Sequence, residues 1–224
     1  MSSLNSFRKK RELSKKDLIK RKNGQLKEFK RILIVTEGSE TEPLYFEQIK
    51  RKYKLKDNVI FIYPAENSSP RDVLKTAKDK NSIDDFDKVF CVFDKDTHDT
   101  YGEVVLKITN DKKLVKFTAV TSVPCFEIWL ILHYKATAKP YYTSDKNKAS
   151  KNALKDLQKI DPMYSKNNKN YFEAIVERTD IAIKNADIVS KQVLGDDPST
   201  KIPTLINEIK ELSRKINELD ASKK

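Results

Sequence analysis

Three carboxylates in this 224-residue chain stand where chemistry can be done: Glu37, Asp94 and Asp96. Glu37 follows the run Arg31-Ile32-Leu33-Ile34-Val35-Thr36, and the Asp pair follows Lys88-Val89-Phe90-Cys91-Val92-Phe93. Short apolar runs rich in β-branched residues read as strands buried on both faces of a parallel sheet. In such sheets ligands bind beyond the carboxyl ends of the strands, where these three acids fall. Asp94 and Asp96 are two apart, so in an extended chain their side chains point the same way. Three carboxylates repel one another unless a cation neutralises them. Hard oxygen ligands of this kind suit Mg²⁺ or Mn²⁺. Such a cation can hold a phosphate oxygen, lower the pKa of a bound water and stabilise a leaving oxygen. Gly38-Ser39 then leads into a helix start, where free backbone N–H groups attract phosphate. Singly, each piece has a plainer reading: Asp-X-Asp occurs by chance, and a strand-ending Glu is often solvated or a cap. Their joint placement points to a metal-dependent phosphodiester site.

The elements that position these residues follow a regular order. After the first strand, Ser39 or Thr41 can cap a helix with Pro43 in its first turn, running through Leu44 to Tyr53. A second strand is expected at Asn58–Tyr63, a helix from Ser68-Ser69-Pro70, the third strand at Lys88–Phe93, a helix over Glu103–Asn110 and a fourth strand at Val115–Thr121. Alternating strands and helices imply βαβ units and a parallel, Rossmann-like sheet of about four strands flanked by helices. Cys125–Tyr134 reads as an apolar helix, residues 135–170 as loop and short helix, and Tyr171–Val193 as helix. Gly195–Pro203 is a turn-rich break. In Thr204–Leu219, Leu205, Ile209, Leu212, Ile216 and Leu219 form one apolar stripe, for packing on the domain or for a short coiled-coil contact. The division expected is a basic arm (1–30), a catalytic core (31–134) and a helical C-terminal region packed on the core (135–224).

Composition sets the partners. The net charge is +12. Met1–Arg31 holds twelve Lys/Arg against three Asp/Glu, or +9, which leaves +3 for the rest. A basic arm suits a polyanion, because Lys and Arg release counterions from phosphates, but it also describes a plain solvated tail. No apolar run is long enough to span a membrane, and the basic start lacks the apolar stretch of a secretory signal. Cys91 and Cys125 stand far apart, which suits free buried thiols in a reducing cytoplasm rather than zinc or a disulfide.

The motifs now quoted resemble a known family. Val35-Thr36-Glu37-Gly38-Ser39-Glu40-Thr41-Glu42-Pro43-Leu44-Tyr45-Phe46 looks like the opening motif of the RloB-like proteins, which include the AbiL second-component type. Val92-Phe93-Asp94-Lys95-Asp96 resembles their Asp-X-Asp segment, and Pro124–Tyr134 their Phe-Glu-hydrophobic-Trp helix. Asp197-Pro198-Ser199-Thr200 and the helix after it also fit, so the likeness runs from about residue 31 to about 212. One departure is Thr36-Glu37-Gly38-Ser39 where Cys-Glu-Gly-Glu is common; the acid itself is retained. The resemblance implies a Toprim domain in which Glu37, Asp94 and Asp96 bind the metals. It implies a nuclease acting on tRNA or DNA, an effector of bacterial anti-phage defence, and a partner ATPase of the AAA or ABC type. Whether the chain also forms a homo-oligomer stays open. A non-catalytic nucleic-acid- or ATPase-binding subunit with a vestigial site is the alternative.

Further residues carry two readings each. Glu127 interrupts an apolar helix, so it is either a fourth carboxylate at the metals or an acid paired with a Lys or a helix end. His98 can touch phosphate or stay in solvent. His133 is a structural histidine or a general base. Trp129 reads as core. Glu40 and Glu42 complement a helix dipole, and Glu40 can instead join the metal shell. Arg71 opens a helix and can bind phosphate. Tyr134, Tyr141, Tyr142, Tyr164 and Tyr171 alternate with Lys139, Lys146, Lys148 and Lys151, which is either a grip on single-stranded nucleic acid or a solvated surface over packed tyrosines.

Overall fold

The computed structural model describes residues 29–96, 98–144 and 147–222. The expected basic arm, apart from its last two residues, lies outside them. From Arg31 onward the described chain forms one compact unit. Its elements are β1 (Ile32–Thr36), α1 (Thr41–Lys52), β2 (Ile60–Pro64), α2 (Pro70–Asp84), β3 (Lys88–Asp94) and α3 (Tyr101–Asn110). They continue with β4 (Phe117–Val123), α4 (Glu127–Leu132), α5 (Ala149–Ile160), α6 (Lys169–Ile175), α7 (Thr179–Gln192), β5 (Ser199–Thr200) and α8 (Ile202–Ser222).

The sheet order is β2-β1-β3-β4-β5, parallel except for β5. β1 is buried along its whole length because it lies between β2 and β3, which is why its sequence is apolar without alternation. β2, at the edge, is largely half-exposed. Alternation along the strands sends Leu33, Val35, Val89, Cys91, Phe93, Phe117 and Ala119 to one face. There they pack with Val73, Leu74 and Ala77 of α2 and Val104 and Ile108 of α3. From β1 the chain steps to β2 on one side, whereas from β3 it steps to β4 on the other. Right-handed crossovers therefore put α1 and α3 on opposite faces. The C-terminal ends of β1 and β3 flank the point where the winding reverses, and a crevice opens there.

The structure is the α/β, mostly parallel sheet flanked by helices that the sequence implies, with three differences. A fifth strand exists, but its two residues are too few to show periodicity. Residues 135–170 contain the full helix α5, disguised by a Lys- and Asn-rich composition around only three buried positions, Ala149, Ala153 and Leu157. The stretch 171–193 breaks at a 3₁₀ turn, Val176–Arg178. Both cysteines are buried and free. Among the described residues no helix is long and apolar enough to cross a membrane.

α4 is buried at all six positions and anchors a cluster of rings. Trp129 meets Tyr45 at 6.3 Å and His133 at 4.8 Å, both edge to face. His133 Nδ1 lies 2.9 Å from the Trp129 carbonyl, which can only accept. Nδ1 is thus the protonated nitrogen, and Nε2 accepts from the Tyr45 hydroxyl at 3.2 Å. Burial pushes the imidazole down to about 3, so it stays neutral. His133 is structural, with both ring nitrogens engaged. Replacing Trp129 by Ala removes the largest fully buried side chain and should cost about 3–5 kcal/mol. Urea unfolding checks this, and a loss below about 1 kcal/mol contradicts the packing described.

Candidate metal and phosphate site

Glu37 is the first residue past β1. Its backbone N–H donates to the Val92 carbonyl at 2.9 Å, which extends the ladder between β1 and β3 by one residue. Its carboxylate then reaches across: Oε2 accepts from the Asp94 N–H at 3.0 Å, and Oε1 lies 2.8 Å from His98 Nε2. Asp94, the last residue of β3, is met by the backbone N–H of Phe126 from the start of α4. Glu127 stands at the next position, buried, and its Oε1 accepts from the Tyr164 hydroxyl at 3.3 Å.

Glu42 completes the group. The sequence points it at the helix dipole, but in the structure it is only 7% exposed and turns inward. Its Oε1 accepts from the Gly38 N–H at 3.2 Å. Gly38 has an ordinary φ, and its lack of a side chain lets the Glu42 carboxylate lie against the backbone. A Cβ at that position would lie 2.2 Å from Glu42 Oε2. The Thr36 hydroxyl, donating to the Gly38 carbonyl at 2.9 Å, fixes the turn.

Glu37, Glu42, Asp94 and Glu127 thus line one open cavity of about 270 Å³, together with Ser39, Glu40 and Thr41 at the start of α1 and Lys166 from the loop after α5. The α1 cap position is Glu40, not Ser39 or Thr41, and the Glu40 side chain makes no capping bond to the helix start. Its first N–H groups, which have no partner within the helix, open on this cavity. Burial raises Glu42 to about 7, with the charges of Glu127 and Glu37 adding to the shift. Asp94 is pushed well above the carboxylate range, first by burial and then by Glu42, Glu127 and Glu37.

Asp96 stands apart from this group. β3 ends at Asp94, and Asp96 has φ +26°, so the chain is no longer extended where the two-residue spacing would align the side chains. Asp96 Oδ1 instead accepts from Ser150 Oγ at 3.2 Å. Arg71 lies on α2, paired with Glu103 of α3. Lys139 is paired with Asp156 of α5. Lys146 falls outside the described residues. Sequence reasoning missed Glu42 and Lys166 as lining residues. No local signal separates Glu42 from an ordinary first-turn acid, and nothing local marks Lys166.

The donor set fits a hard divalent cation: four carboxylates line one cavity, and two of them, Glu42 and Asp94, are raised first by burial and then by neighbouring charge. Among the described residues, however, no three acidic, His or Cys side chains are already gathered as a metal-holding group.

A pH signature follows. Glu42 ionises near 4.5 when unfolded and near 7 when folded, so over that interval the unfolded chain loses its proton first. Stability in EDTA therefore falls as pH rises from 4.5 towards 7, and Asp94 adds in the same direction. Glu42→Gln should raise the melting temperature at about pH 8 by on the order of 5 °C, and the gain should vanish near pH 4.5. Melting curves that shift equally at both pH values contradict this.

A family model described as RloB-like protein matches residues 32–209. No curated protein and no solved structure matches the chain.

Proposed function

The chain belongs to the RloB-like family, and on that premise we propose that it is a Mg²⁺- or Mn²⁺-dependent nuclease of Toprim type. The observation that carries this reading is the meeting of Glu37, Glu42, Asp94 and Glu127 in one cavity at the reversal point of the sheet, beside an uncapped helix start. Glu37, Asp94 and Glu127 would hold the cation, with Glu42 behind them. Asp96, the further ligand that the resemblance implies, accepts from Ser150 and is not among the residues that line the cavity. The bound cation supplies Lewis-acid chemistry at a phosphodiester.

The chain's own groups do the rest. Glu42 and Asp94 give up their protons as the site is loaded. His98 Nε2 donates to Glu37 Oε1 while the Asp94 N–H donates to Oε2, and together they orient the carboxylate. The first N–H groups of α1 and the ammonium of Lys166 face a phosphate placed there. The setting we propose is anti-phage defence in the cytoplasm, with the chain as an effector cutting tRNA or DNA beside an AAA- or ABC-type ATPase.

Purified protein with Mg²⁺ or Mn²⁺ should cleave labelled tRNA or DNA. Asp94→Asn and Glu37→Gln should each lower the rate by roughly a hundredfold or more, since loss of even an outer partner of a metal ligand costs 10–100-fold. Wild-type cleavage by either folded variant, or wild-type toxicity on expression, would falsify the assignment.

A second reading, a nucleic-acid- or ATPase-binding subunit with a vestigial site, is favoured by one observation: no three ligands are preassembled among the described residues. Calorimetric titration of Mg²⁺ and Mn²⁺ separates the two. The nuclease reading predicts binding that Asp94→Asn weakens; absence of binding supports the subunit.

A further inference from the structure

Helix α5 has two faces of opposite character. Ala149, Ala153 and Leu157, four apart, are buried. Lys151, Lys155 and Lys159, also four apart, are exposed. At 3.6 residues per turn the lysine row lies on the side of the helix away from the buried row. It spans about 12 Å at 1.5 Å per residue. Lys148, just before the helix, falls in the same row. Residues 139–160 hold six Lys against two Asp and no Glu. Of the acids, Asp156 is already matched by Lys139 and Lys159 and accepts from the Tyr141 hydroxyl.

An aromatic ring flanks this row. Tyr142 is 73% exposed, unlike Tyr141, Tyr164 and Tyr171, which are buried. Its backbone carbonyl accepts from Asn152 Nδ2 of α5 at 3.2 Å, which ties the ring's segment to the helix. Tyr142, Lys155 and Lys159 share one shallow cavity of about 390 Å³.

The helix is tied to the strand ends beside the carboxylate site at its start, and to the site itself through the loop after it. In its first turn, Ser150 Oγ donates to Asp96 and the Ser150 carbonyl lies 3.8 Å from Cys125 Sγ. The loop after it brings Tyr164 to Glu127 and Lys166 to the carboxylate cavity.

We infer that the exposed lysine row of α5, with Tyr142 at its flank, is the track on which a single-stranded polynucleotide lies as it enters the carboxylate cavity. The inference rests on the phosphodiester chemistry proposed for that cavity. The lysines neutralise successive phosphates. Tyr142 offers a ring for an unpaired base to stack on, which a base inside a duplex cannot do.

The test reads binding without cleavage. Full-length protein in EDTA is titrated into fluorescein-labelled oligo(U) and oligo(dT) of about 20 nucleotides and into a duplex of equal length, by anisotropy. The combined variant Lys151→Ala, Lys155→Ala, Lys159→Ala should weaken single-strand binding at least tenfold. It should also reduce the slope of log K against log salt by about 2, as three phosphate contacts require. Tyr142→Ala should weaken binding roughly fivefold or more. A control removing Lys107, Lys112 and Lys113, exposed around the end of α3, should change affinity less than twofold. The basic first 31 residues are common to all these proteins. Each variant is checked for an unchanged circular dichroism spectrum. The inference is overturned by wild-type affinity in the α5 variant, by an equal loss in the control, or by a duplex that binds as tightly as the single strand. Because cleavage is not read, such a result leaves the nuclease reading standing. A protein that binds through α5 but never cleaves would sink the nuclease reading alone.

Discussion

Four carboxylates line one cavity in this protein, and the cost of burying acids side by side is the constraint around which the site is arranged. Glu37, Glu42, Asp94 and Glu127 come from four separate positions: the end of β1, the first turn of α1, the end of β3 and the start of α4. Burial first, and neighbouring negative charge second, disfavours ionisation, so Glu42 and Asp94 keep their protons above the ordinary carboxylate range. The fold tolerates this because the backbone supplies donors at the right places. The N–H groups of Gly38, Asp94 and Phe126 each point at a carboxylate.

The rest of the molecule makes that arrangement possible. The reversal of winding between β1 and β3 opens the crevice, and the full burial of β1 fixes where Glu37 emerges. Gly38 leaves room for the Glu42 carboxylate beside the backbone. On the far side, the ring cluster of Tyr45, Trp129 and His133 joins α1 to α4 and so sets the distance between Glu42 and Glu127. The loop after α5 then adds Lys166 to the lining and places the Tyr164 hydroxyl on Glu127.

Much of this was legible in the sequence, for physical reasons. β1 and β3 announce themselves because strands buried on both faces are continuously apolar. The acids that follow them therefore fall at strand ends without ambiguity. His133 and Trp129 belong to an apolar helix and proved to be core. What the sequence could not show depends on tertiary geometry. Asp96 departs from Asp94 because the chain turns after β3, and a two-residue spacing aligns side chains only where the backbone stays extended. Glu42 looks like an ordinary first-turn acid until burial is known. β5 is too short for periodicity, and α5 hides its three buried positions among lysines. Lys166 reaches the cavity through a loop whose path no local pattern dictates.

The most direct test of the central claim is an anomalous diffraction map from crystals grown with Mn²⁺. The account predicts a single strong peak in the carboxylate cavity, roughly 2.0–2.2 Å from oxygens of Glu37 and Asp94, as expected for a hard divalent ion of this size. A cavity without a peak at saturating Mn²⁺, with the four carboxylates still apart, would contradict it.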